Sequence, residues 1–268
     1  TPDTDTTPYN YKSVGSRTTY TTGRAVKAAA ETAAQDILAH ASAILGCDAD
    51  ALQLLEGGKV GVNPDLADAP KINETVTFKE AALRAQYGIG GPIIGSHTFV
   101  FDGPPFDREG SKMVSIAFGN MGAYISGAQA VEVEVDEVTG KVDVTRVWAA
   151  ADVGRAINPS NIEGQIQGGF AQGMGYALFE EMVWEDGQLV NPSLMDYKVA
   201  NALEVPEIET FIVEAAEPSG PFGAKGVGEP AMVGVAPAIA NAIADAVGIK
   251  LTRLPMTLER VLEALVPD

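Results

Sequence analysis

The stretch GAKGVGEP, residues 223–230, sets three glycines around one cation, Lys225, and one carboxylate, Glu229, directly ahead of Pro230. A surface turn needs only the glycines. A carboxylate carried on bare backbone into a glycine-walled, partly apolar pocket loses hydration, which raises its pKa toward the range of a general base. The lysine lacks a following Ser or Thr, and no strand and helix bracket a G-x-G-x-x-G, so phosphate cradling by either nucleotide motif is disfavoured. A turn with an incidental glutamate is the plainer alternative, and the stretch alone leaves it open.

Two further segments have chemistry-bearing spacing. NIEGQIQGGFAQGMGYALFEEM, residues 161–182, reads as helical toward its carboxyl end yet holds Gly164, Gly168, Gly169, Gly173 and Gly175. Each glycine inside a helix costs roughly 1 kcal/mol relative to alanine, so something must approach this backbone closely. The pairs 164/168 and 169/173 fall on neighbouring faces, a smooth surface for another helix or a flat ligand, with Gln165, Gln167 and Gln172 offering amides. On this segment alone, helix packing is the simpler reading. In SVGSRTTYTTGRAV, residues 13–26, Gly15, Ser16, Arg17, Thr18 and Thr19 precede a long helix. Backbone N–H groups, hydroxyls and a guanidinium there suit an anion such as phosphate, although Ser and Thr ahead of a helix also serve as plain caps.

Composition bounds the partners. The 268 residues are 46% hydrophobic and 20% charged, which suffices for a substantial globular core. A net charge of −18 disfavours nucleic acid and anionic membrane surfaces. No run approaches the ~18–20 consecutive apolar residues of a membrane span, and TPDTDTTPYNYKS lacks a signal-peptide pattern, so a cytoplasmic location is expected. One cysteine, Cys47, with only His40 and His97 beside it, gives no metal-ligand cluster. A metal would have to arrive inside a cofactor or be held by another chain.

Residues 1–22 are expected to be extended or looped. The apolar positions Val26, Ala30, Ala33, Ile37, Ala41 and Ile44 predict a helix over 23–45, with Gly46 as its stop. Short strands and turns are expected over 56–76, and a helix from Thr77, where Thr-x-x-Glu forms a capping box. A Gly-, Pro- and Phe-rich loop follows over 88–112, long enough to be functional or covered by a partner. Val131, Val133 and Val135 alternate with acidic residues and turn through Glu137–Gly140 into Val142 and Val144, a hairpin with one wet face. Another turn is expected at Asp186-Gly187, a strand over 207–217, a helix from Pro237 to Gly248, and a last helix after Pro255. Helices and hairpins without βαβ regularity indicate an α+β class, with no linker separating independent domains.

Taken in order, SRTTYTTGRAVKAAA, EVEVDEVTGKVDVTRVWAAADVGRAINPSNIEGQIQGGFAQGMGYALFEE and GPFGAKGVGEPAMVGVAPAIANAIADA resemble the carboxyl-terminal half of the molybdopterin-binding subunit of the xanthine dehydrogenase and aldehyde oxidoreductase family of molybdenum hydroxylases. The likeness is closest in type to nicotinate dehydrogenase and hydroxybenzoyl-CoA reductase. It implies that residues 1–268 form the second half of a molybdenum-cofactor-binding domain, completed by a partner chain or a missing amino-terminal half, because the family's earlier F-G-G, A-x-R-G-x-G and G-Q-G cofactor segments are absent here.

The resemblance puts the family's catalytic glutamate on Glu229. There it takes a proton from a hydroxyl on molybdenum, and the oxygen attacks an electron-poor sp² carbon of an N-heterocycle, aldehyde or aromatic thioester. It puts the pterin-contacting glutamine on Gln165 and the pterin and phosphate loop on Gly15, Ser16, Arg17, Thr18 and Thr19. Lys225, Gly226, Val227 and Gly228 match the loop beside the metal. The implied cofactor is molybdenum-molybdopterin in its cytosine dinucleotide form, with [2Fe–2S] clusters and FAD on partner chains. A non-catalytic assembly or cofactor-carrying subunit is the alternative.

Overall fold

The computed structural model describes residues 3–10, 13–89, 91–100 and 123–266. Two compact units divide the chain: Thr1–Tyr20 with Phe101–Asp268, and Thr21–Val100. Most of the expected loop over 88–112 lies outside the described residues, and residues 91–100 form no regular element.

The long helix α1, Thr18–Leu45, starts five residues before the predicted Gly23. Its Thr- and Tyr-rich first turn has poor intrinsic propensity, but Tyr20 is buried and its hydroxyl lies 2.7 Å from Ser219 Oγ, so tertiary contact outweighs propensity. In the smaller unit the strands β1 (Leu52–Leu55), β2 (Lys59–Val62) and β3 (Val76–Thr77) form an antiparallel sheet, followed by α2 (Phe78–Arg84). The predicted capping box is present: Glu80 N–H donates to Thr77 Oγ1, and Thr77 N–H donates to Glu80 Oε2 at 2.8 Å. Ala41, Leu52, Val60, Val76 and Ala81 make this unit's core, with Ile37 and Cys47 against it. Val26 and Ile44, assigned by periodicity to the apolar stripe, are exposed.

In the larger unit β4 (Gly127–Val135) and β5 (Val142–Asp152) form the predicted hairpin. Register shifts after Glu132, leaving Thr145 and Arg146 both exposed, as a bulge requires. The helix α3 runs over Pro159–Leu178, so the glycine-bearing segment is helical from its start, and its last four residues, 179–182, lie beyond the helix. After a tight hairpin of β6 (Trp184–Glu185) and β7 (Gln188–Leu189), turning at Asp186-Gly187 with φ of 46° and 80°, β8 (Ile208–Val213) pairs with β5 in parallel. The sheet order β4-β5-β8 therefore contains one βαβ crossover, which the alternating hairpin signals did not announce. The α+β class holds.

The chain ends with α4 (Pro230–Val233), α5 (Val235–Val247) and α6 (Leu258–Leu265). Gly248 closes α5 in the left-handed region at φ 74°, the conformation that favours glycine at a helix end. Pro237 sits within the first turn rather than at its first position. The 18-residue stretch Pro230–Val247 is apolar enough by composition to cross a membrane, at mean hydropathy 1.4. Val235, Ile239 and Ile243 in this stretch are fully buried in the core shared with Val147, Ile166, Phe170 and Met174. Each such side chain contributes roughly 1.5–3 kcal/mol on burial.

Candidate functional site

The five α3 glycines fall into distinct environments. A Cβ on Gly169 would collide with Ala231, and one on Gly173 with Val235, so this pair exists to let α4 and α5 approach. A Cβ on Gly175 would meet the Glu180 carboxylate. Gly164 and Gly168 have nothing within 4 Å in that direction. Both face open space: Gly168 lines one cavity of about 620 Å³ and Gly164 a second of about 600 Å³. Helix packing and ligand room are thus both realised, on neighbouring faces of one helix.

The first cavity is walled by the 13–19 loop, the Gln165, Gly168, Gly169 and Gln172 face of α3, and Gly226 to Glu229 with Met232. Thr19, Gln165 and Val227 also line the second cavity, which adds Arg155, Asn158, Ser160 and Asn161 at the start of α3. Gln167, grouped with the other two glutamines by sequence, lines neither cavity and is exposed on another side of the helix.

Glu229 is exposed to the first cavity and gripped from behind. Gly15 N–H donates to its Oε1 at 2.8 Å, the Ser16 hydroxyl donates to its Oε2, and its own N–H donates to Ser16 Oγ at 3.0 Å. Partial burial, the largest single influence, pushes the carboxyl up. The Ser16 hydroxyl, the Gly15 N–H and its own N–H together outweigh burial and hold it below the usual carboxylate range. The expectation of a raised pKa is therefore corrected, because hydrogen bonds to the charged form over-compensate lost hydration.

Lys225 points away from this cavity. Its ammonium lies 2.6 Å from Asp152 Oδ2, at the carboxyl end of β5, with side chains only 9% and 15% exposed. Asp152 Oδ1 accepts from Gly154 N–H at 3.0 Å and Ala215 N–H at 3.1 Å. Burial raises the Asp152 carboxyl, but Lys225 and the two amides bring it below its ordinary value. Lys225 N–H donates to Val153 O at 2.8 Å, so side chain and backbone both fasten the loop to the strand end.

Of the residues singled out by sequence, Ser16, Arg17, Thr18, Thr19, Gln165, Gly226, Val227, Gly228 and Glu229 converge on the first cavity. Gly15 touches it only through Glu229, and Lys225 lines the second. Asp152, Arg155, Asn158, Ser13 and Met232 were given no role by the sequence, although DVGRAIN carried the first three. The signal of those three is one of position: Asp152 ends β5, Asn158 caps α3, and Arg155 lies on the short connection between them.

The site can be tested for a bound group by what it leaves open. Gly168 and Gly164 keep space that a methyl would fill, and Gln165, Gln172, Ser13, Thr18, Thr19 and Arg17 form a donor-rich wall beside apolar Val14, Val227 and Met232. That volume and lining fit a flat polar heterocycle with an anionic tail. Among the described residues no three His, Cys, Asp or Glu side chains converge on a metal position.

Comparison with known proteins identifies the family. The family profile of the molybdopterin cofactor-binding domain matches residues 1–206. The chain is 33% identical over 268 residues, 98% of its length, to the xanthine dehydrogenase molybdenum-binding subunit of Escherichia coli O157:H7, of which it covers 32%. It is 34% identical over 263 residues to subunit gamma of the 6-hydroxypseudooxynicotine dehydrogenase complex of Paenarthrobacter nicotinovorans, covering 97% of this chain and 31% of that one. The crystal structure of quinoline 2-oxidoreductase from Pseudomonas putida 86 superposes with a TM-score of 0.79 at 28% identity, over 97% of this chain and 31% of that chain. The chain thus spans about a third of the length of these relatives. It belongs to the molybdopterin cofactor-binding domain family, in the xanthine dehydrogenase and aldehyde oxidoreductase group of molybdenum hydroxylases.

Proposed function

We propose that this chain forms the second half of a molybdenum-cofactor site in which Glu229 is the proton acceptor for hydroxylation of an electron-poor sp² carbon, with water as the oxygen source. The observation that carries the reading is the Glu229 carboxylate, hydrogen-bonded by Gly15 and Ser16 at the wall of a cavity whose glycines leave room for a flat ligand. The relatives named for 6-hydroxypseudooxynicotine and quinoline support an N-heterocycle as substrate, and an aldehyde, after which another relative is named, or an aromatic thioester is the alternative.

When bound, the molybdopterin supplies the two-electron acceptor and the activated oxygen. Everything else falls to this chain's residues. The Gln165 and Gln172 amides would hold the pterin edge, and Thr18, Thr19 and Arg17 the phosphate at the head of α1. The second cavity, with Arg155, Asn158 and Ser160, gives the cytosine dinucleotide tail a place to extend. Lys225 and Asp152 keep the 223–229 loop against β5, which fixes Glu229 relative to Gln165. Glu229, charged at neutral pH, would hold the proton released in the reaction, and Ser16 and Gly15 hold its oxygens in place.

The remaining wall of the site comes from another chain or from the rest of a longer polypeptide, and electrons leave to [2Fe–2S] clusters and FAD on partner subunits in a cytoplasmic complex. The test is to isolate the native complex, assay molybdenum, pterin and acid-released cytidine monophosphate, and measure oxidation of a panel of N-heterocycles and aldehydes. One molybdenum per copy of this chain with turnover on the panel is expected. A complex free of molybdenum would sink the reading.

A further inference from the structure

We infer that Ser16 is a positioning residue for Glu229, its hydroxyl committed to the carboxylate rather than to the cofactor. The inference rests on Glu229 being the proton acceptor. A serine hydroxyl has one proton to donate. Here that proton goes to Glu229 Oε2, while Ser16 Oγ accepts the Glu229 N–H at 3.0 Å, closing a small ring, and Gly15 N–H holds the other carboxylate oxygen at 2.8 Å. Ser16 therefore has no proton left for a pterin or phosphate, in contrast to Thr18 and Thr19 in the first turn of α1.

The backbone is shaped for this contact. Gly15 and Ser16 are consecutive left-handed residues, φ 74° and 53°. A non-glycine residue is strained there, and persists only where surrounding contacts hold it. The GVGEP loop supplies those contacts. A Cβ on Gly226 would overlap the Ser16 carbonyl, and one on Gly228 would stand 3.1 Å from Ser16 Oγ. Two glycines of that loop thus make the notch that receives Ser16, and Glu229 closes it.

The consequence is chemical. With one donor on each oxygen the carboxylate is fixed in orientation and favoured in its charged form, yet each oxygen keeps a lone pair to accept a proton. Arg17 is the other ionisable side chain lining this cavity among the described residues, and Lys225, on the far side of Val227, is engaged by Asp152. Removing the Ser16 hydroxyl leaves burial less opposed, so Glu229 titrates higher.

The experiment compares Ser16→Gly, which keeps the left-handed backbone without the hydroxyl, and Ser16→Ala with the native sequence in the assembled holoenzyme. It reads molybdenum content, the pH profile of kcat/KM, and the carboxylate titration by infrared difference, with Glu229→Gln as the subtraction reference. In both variants the acidic limb and the infrared titration should move up by about one pH unit, about tenfold in ionised fraction below the limb, with molybdenum retained. A titration that stays in place, or loss of cofactor without a titration shift, would overturn the inference. Full turnover in Glu229→Gln would instead sink the base assignment and this inference with it.

Discussion

Lys225 Nζ sits 2.6 Å from Asp152 Oδ2, joining the loop that carries Glu229 to the last residue of β5. Both side chains are mostly buried, and Asp152 spreads its other oxygen over two amides, so the pair is a fastening for the loop and not a surface ion pair.

Removing one partner leaves an uncompensated buried charge. Asp152→Ala should therefore cost about 3–5 kcal/mol in chemical denaturation, far more than breaking the solvent-screened surface pair Lys141–Asp143. Because the folded Asp152 pKa is depressed, its stabilisation is full above the unfolded value near ~4 and is lost as pH falls through the lower folded value. Denaturation at a series of pH values should show the Asp152→Ala deficit shrinking below about pH 4.

The α3 glycines should respond with opposite signs. Gly164→Ala adds a methyl where nothing lies within 4 Å, so the helix should gain about 0.5–1 kcal/mol. Gly169→Ala forces that methyl into Ala231 and should lose about 1–3 kcal/mol. Equal shifts for both in thermal melts would contradict the division of the helix into a packing face and a ligand face.

Gly168→Ala separates stability from binding. The methyl projects toward the first cavity with no protein atom in its way, so the fold should hold or gain slightly while cofactor occupancy falls. Molybdenum content per folded chain, beside a denaturation curve, checks both halves of this expectation.

Gly226→Ala should damage the loop pairing itself, because its Cβ overlaps the Ser16 carbonyl and backbone cannot yield as a side-chain end can. A loss of about 1–3 kcal/mol is expected, with faster proteolysis near residues 13–17. An unchanged cleavage rate there would place the loop elsewhere.

What the sequence made legible was local. The β4–β5 hairpin, the Thr77 box, the Asp186-Gly187 turn and the Gly248 stop each depend on neighbours within a few residues. The parallel pairing of β5 with β8 depends on a long crossover that leaves no periodic trace. The site was legible as a set of glycine-flanked polar residues, but not in its electrostatics. Glu229 was expected to rise on burial, and the reversal comes from its own N–H, Gly15 and above all Ser16, 213 residues away in sequence and held in a backbone conformation that serine rarely takes. Lys225 was grouped with the metal-side loop by its neighbours, whereas the Asp152 carboxylate turns its side chain toward the sheet.

The most direct measurement is steady-state turnover of the assembled complex carrying Glu229→Gln, with molybdenum assayed on the same sample. The amide keeps the shape and loses the basic oxygen, so kcat should fall by about 10²- to 10⁴-fold while molybdenum stays at the native level. Native turnover with the glutamine in place would contradict the account.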